Sequence, residues 1–150
     1  LAQSGNATDH KTAVENTAKE LDQFLAERIR NRDTEPIFIA AHVPLHYTYR
    51  TTSAGDGDNM YARKIVDVLN KYGDKLTIIY LFGHNHSDDY DDYLGGPVVF
   101  LPAGESMPVP KNSTTEIYYP TLKFTYMNSG YIGPYGGDWK TEQTSTIFGW

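Results

Sequence analysis

Five histidines stand in the 150-residue sequence, and three of them follow apolar runs almost directly. His42 comes straight after Ile37-Phe38-Ile39-Ala40-Ala41, and His84 and His86 follow Leu76-Thr77-Ile78-Ile79-Tyr80-Leu81-Phe82 after a single glycine. A neutral imidazole is the commonest protein ligand for transition metals. With no cysteine in the chain, any such site must use His, Asp, Glu, Asn or backbone oxygen. In an extended His-x-His triplet both side chains point the same way and Asn85 faces elsewhere, with Gly83 expected to permit the sharp exit that aims them. A lone histidine at a strand end is more often solvated than metal-bound, so the joint placement of His42, His84 and His86 carries the expectation of a metal site.

The remaining polar groups point to chemistry less clearly. His46 lies four residues beyond His42, but Pro44 prevents a regular helix and with it a helical chelate. It is expected to be a loop histidine and is at most a weak catalytic candidate. His10 has no partner in sequence and is expected on the surface. The acidic run 87–93 lacks the glycine-punctuated layout of a calcium-binding EF-hand loop and reads as a solvated loop. Tyr47, Tyr49, Tyr90 and Tyr93 flank the histidine segments and could wall a pocket, although packing is the commoner fate of tyrosine.

These residues depend on the elements that position them. Apolar residues at Val14, Ala18, Leu21, Leu25 and Ile29 predict a helix over 13–31, with Thr12 and Glu15 as a capping box. Pro36 ends any helix, and 37–41 reads as a strand buried on both faces. A second helix is predicted over 60–72, capped by Asp58 or Asn59 and closed by Gly73, with Tyr61, Ile65, Val68, Leu69 and Tyr72 inward. A strand over 76–82 completes a parallel crossover unit. Ligand sites in parallel sheets lie beyond the carboxyl ends of the strands, and neighbouring strands run about 5 Å apart. On that plan the three imidazoles reach one or two metal ions. Beyond Asp92 short strands are expected at 97–101, 122–127, 130–132 and 145–148, in an antiparallel arrangement. The chain is expected to form one domain, with the tail 131–150 loosely ordered.

Composition narrows the partners. A formal net charge of −6 and a pI near 5.2 argue against a broad electrostatic grip on nucleic acid or anionic lipid. No stretch approaches about 18 consecutive apolar residues, so no membrane span is expected. The sequons at Asn6 and Asn112 carry little weight, and an extracytoplasmic or secreted location stays open.

"AAHVPLHY" after one strand and "LFGHNHSDDY" after the next resemble the last two motifs of the calcineurin-like metallophosphoesterases. "GGPVVFLPAGES" is similar to the strand and glycine turn that follow them in that family. The resemblance spans roughly 37–106 and rests on the pair of motifs. It implies an α/β fold with a mixed sheet, part of a four-layer α/β/β/α sandwich. It also implies hydrolysis of a phosphorylated substrate by a hydroxide shared between two divalent ions of zinc, manganese or iron. Carried over, His42 and His84 would bind one ion and His86 the other.

The family's earlier motifs, Asp-x-His, Gly-Asp-x-x-Asp and Gly-Asn-His, supply a bridging Asp, an Asn ligand and the catalytic His, and none occurs in these residues. Gly55-Asp56-Gly57-Asp58 lies between the two matched motifs and is no substitute. The chain is therefore expected to be the carboxyl-terminal half of such a domain, with its catalytic His in the missing half and weak or no turnover by itself. The missing half, or a second copy of the chain, is expected to cover its open sheet edges. Two other readings remain at this stage: an amidohydrolase-type metal hydrolase, and a non-catalytic surface module with structural histidines.

Overall fold

The computed structural model describes residues 7–47, 59–83, 100–111 and 116–128. Helix α1 spans Ala7–Arg30, beginning six residues before the predicted start. No glycine or proline interrupts it, so the helix runs through Thr12 and Glu15 and no capping box forms there. The Glu15 carboxylate instead pairs with Lys64 at 3.0 Å, and the Lys64 hydrogen bond holds its pKa below the ordinary glutamate value. The apolar stripe was read correctly at its centre, where Leu25 and Ala18 are buried, while Val14, Leu21 and Ile29 are half-buried.

α1 ends before Pro36 takes effect. Arg32 adopts φ 54°, Arg32 N–H donates to Ile29 O at 3.0 Å and Asp33 N–H donates to Arg28 O at 3.0 Å. This is a Schellman closure with arginine at the left-handed position that glycine usually occupies.

Strand β1 (Ile37–Ala41) and strand β2 (Ile78–Phe82) pair in parallel, in register from Ile37 with Ile78 to Ala41 with Phe82. The helix between them, α2 (Ala62–Tyr72), completes the expected crossover. Its buried positions are Ala62, Val66, Leu69 and Tyr72. The face is thus rotated from the predicted one, with Tyr61, Ile65 and Val68 half-buried at its flanks. Its N-cap is Tyr61 with no side-chain cap, because the Asn59 amide is spent elsewhere; Asp58 lies outside the described residues.

Gly73 does close α2, but at φ −62°, not in a left-handed conformation. Glycine is required there because a Cβ would collide with the backbone carbonyl of Lys123. The two helices are clamped by Asp22, whose carboxylate accepts from Lys71 Nζ at 2.6 Å and Tyr72 Oη at 3.0 Å.

The second half contributes β3 (Phe100–Leu101), β4 (Val109–Pro110), β5 (Ile117–Tyr118) and β6 (Thr125–Asn128). β4 and β5 form a separate antiparallel pair. The main sheet has the order β1-β2-β6-β3. The pairs within the second half, β3 with β6 and β4 with β5, are antiparallel as expected, but β6 joins β2 of the first half in parallel, and the sheet is mixed. After β3 the chain turns at Gly104, whose φ of 104° few side chains tolerate and whose N–H donates to Leu122 O. The strands predicted at 130–132 and 145–148 and the tail 131–150 lie outside the described residues.

Leu25, Val66, Leu69 and Tyr72 from the helices join Ile37, Ile78, Tyr80, Phe82 and Tyr126 from the sheet in one core. The opposite sheet face presents Phe38, Ala40, Ile79, Leu81 and Phe100. β1 is therefore not buried on both faces, since Phe38 is 54% exposed. Among the described strands β1 is an edge, paired with β2 alone. The described residues are a mixed α/β fold with two helices and a mixed sheet, and none of these helices is long and apolar enough to cross a membrane.

Candidate metal centre

β1 and β2 end level with each other because their register is unbroken to Ala41 and Phe82. His42 is the first residue past β1, and its carbonyl accepts the N–H of Gly83, the first residue past β2, at 3.3 Å. The His42 side chain is exposed at this carboxyl edge. It is the side of the sheet on which a parallel pair offers a ligand crevice. His84 and His86 follow Gly83 in sequence but lie outside the described residues, as do the acidic run and Tyr49, Tyr90 and Tyr93. Gly83 has no positive φ, and a Cβ there would meet nothing within 4 Å, so the sharp glycine exit is not needed at this position.

The segment 42–47 is held down along its whole length. Val43 O accepts from Tyr80 Oη at 3.3 Å, and burial raises the pKa of that phenol and keeps it a donor. Tyr126 Oη accepts from Leu45 N at 2.9 Å and from His46 N at 3.3 Å. Asn59 Nδ2 donates to His46 O at 2.6 Å, and Tyr47 N donates to Pro108 O at 2.8 Å. Tyr47 is buried beside these bonds.

His46 is a loop histidine as expected, but it is buried in that loop. It is 0% exposed, its Nδ1 lies 2.6 Å from Tyr126 Oη, and its ring meets those of Phe82 and Tyr126 edge-on at 5.4 and 5.7 Å. Tyr126 in turn stacks on Phe82 at 4.6 Å. Pro44 excluded a helix correctly, but a non-helical segment can still be buried when its polar groups are satisfied. His10, expected on the surface, is half-buried. Sequence reasoning missed Tyr126 and the true role of Asn59. No local pattern marks either, because their partners lie 80 and 13 residues away.

Compared with family models, curated proteins and solved structures, the chain matches none.

The donor set can therefore be weighed only on its own chemistry. Among the described residues no three His, Asp or Glu side chains come together to hold a metal, and the expected set includes two residues beyond them. The described member fits: His42 offers an exposed imidazole at the carboxyl edge, on a backbone pinned by hydrogen bonds on both sides.

Proposed function

We propose that this chain carries the metal-binding edge of a phosphoester hydrolase of the calcineurin-like kind, with His42, His84 and His86 as ligands. The observation that supports this reading is the level, parallel ending of β1 and β2, tied by the bond between His42 O and Gly83 N. Two histidine-bearing exits then leave one sheet edge side by side, which their 42-residue separation in sequence conceals. Divalent ions bound there would supply an activated water and neutralise the oxygens of the transferring phosphoryl group. The chain's own part is to fix the imidazoles. For His42 the described means are the short parallel strands and the bond between His42 O and Gly83 N.

The four-layer sandwich belongs to the same proposal. The face carrying Phe38 and Phe100, 54% and 60% exposed, is apolar enough to take a second layer of side chains. Such a layer would also supply the carboxylate that two adjacent ions require, since three neutral imidazoles suffice for one ion only.

Titration of the purified chain with zinc tests the reading. One ion per chain is expected, with binding lost in His84→Ala and in His86→Ala while the melting temperature of the metal-free protein stays unchanged. Absence of zinc and manganese affinity in the wild type would favour a non-catalytic module. Zinc binding at wild-type affinity in either variant would sink the ligand assignment.

A further inference from the structure

We propose that the Tyr126 hydroxyl fixes the tautomer of His46, keeping its proton on Nε2, and that the pair is a positioning device for the 42–47 segment. Among the described residues, three nitrogens lie within hydrogen-bond reach of the one phenol oxygen: Leu45 N at 2.9 Å, His46 N at 3.3 Å and His46 Nδ1 at 2.6 Å. Backbone N–H groups can only donate, and a phenol has two lone pairs and one proton. The two backbone donors take the lone pairs, so the proton of the hydroxyl goes to Nδ1. That nitrogen is therefore the bare one, and in the neutral ring the hydrogen sits on Nε2.

The consequence is chemical. The Nδ1 lone pair is occupied by the hydrogen bond from the phenol, so that nitrogen offers nothing to a cation. The ring is 0% exposed and walled by Phe82 and Tyr126, which keeps substrate away as well. His46 is thus removed from the ligand and catalytic-base roles, although it lies only four residues from His42. What remains is position. The ring and its own backbone N–H bind the same oxygen of β6, Asn59 holds its carbonyl, and Phe82 beside it is the last residue of β2. The histidine ties the segment leaving β1 to β6 and sets it against the end of β2, the two strands that follow β1 in the sheet order.

The tautomer itself does not depend on the metal reading; the effect on metal binding does. Nitrogen-15 spectra of the imidazole rings of the metal-free chain should give His46 an unprotonated Nδ1 and a protonated Nε2. In Tyr126→Phe that signature should be lost, and the Gly83 amide, which reports its bond to His42 O, should exchange faster with solvent. His46→Asn, which keeps an acceptor beside the phenol, should retain the slow Gly83 exchange, and His46→Ala should not. In zinc titrations Tyr126→Phe should lower affinity about 10- to 100-fold at unchanged stoichiometry. A proton on Nδ1 in the wild type, or a zinc-induced shift of the His46 Nε2 resonance, would overturn the proposal. So would unchanged Gly83 exchange in both Tyr126→Phe and His46→Ala. Failure of zinc to bind the wild type would remove the metal reading and leave these resonances to decide the tautomer and the positioning role.

Discussion

The carbonyl of His42 accepts the N–H of Gly83 at 3.3 Å, so the first residue beyond β1 is bonded to the first residue beyond β2. The bond uses backbone atoms only, and His42 itself is exposed at this edge.

Because His42 is exposed, His42→Ala should affect binding more than stability. We expect zinc affinity to fall at least tenfold, about 1.4 kcal/mol, while the urea midpoint of the metal-free chain stays within error. A variant that unfolds early would show that the imidazole has a structural role.

The two glycines at strand and helix ends should respond oppositely to a methyl group. Gly73→Ala drives a Cβ into Lys123 and should cost about 1–3 kcal/mol. Gly83→Ala meets open space at an ordinary φ and should change stability by less than about 0.5 kcal/mol. Chemical denaturation of both variants decides this, and equal losses would contradict the close approach at Gly73.

Arg32 occupies a left-handed conformation at φ 54° in the Schellman closure of α1. Arg32→Gly should raise stability by about 1 kcal/mol by relieving the clash of Cβ with the carbonyl oxygen. The Arg28 ion pair with Asp33 is left in place by this change. A fall in melting temperature would count against the assignment.

The clamp at Asp22 gives a pH dependence of known sign. The hydrogen bond from Lys71, then that from Tyr72, holds the Asp22 pKa below the ordinary aspartate value. A depressed carboxylate pKa contributes stability above the unfolded-state value, and the contribution is lost as pH falls through the folded-state value. Asp22→Asn should thus cost about 0.5 kcal/mol near neutrality, small because the carboxylate is more than a third exposed. The difference from wild type should close under acid conditions, and a constant difference across the range would refute the linkage.

Phe38 and Phe100 leave an apolar face in water. Phe38→Thr should keep the melting temperature near that of the wild type and reduce concentration-dependent association in sedimentation velocity. Unchanged association would place the sticky surface elsewhere.

Much of the sheet and its helices was legible in the sequence because these elements announce themselves locally. Ile37-Phe38-Ile39 and Ile78-Ile79-Tyr80 are β-branched and aromatic runs, and α1 and α2 carry their stripes at helical spacing. The parallel order of β1 and β2 followed from the helix between them. The parallel pairing of β6 with β2 was not legible, since no helix among the described residues separates those two strands and short strands among Gly and Pro suggest hairpins. Exposure of Phe38 escaped a reading that took apolar composition as burial. The position of His42 just past β1 was legible from the apolar run before it, whereas the burial of His46 depends on Tyr126, which no pattern in the turn itself can reveal.

The unbroken register of β1 with β2 over five pairs has a consequence for how this protein can vary. Side chains alternate between faces with a period of two, so inserting or deleting one residue in either strand inverts every position beyond it. Such a change would carry Ile39 out and Ala40 in, and would shift one exit by a residue relative to the other. Chain length in these ten positions is therefore more constrained than residue identity. Exchanges among isoleucine, valine and leucine should be tolerated there, and single-residue indels should not.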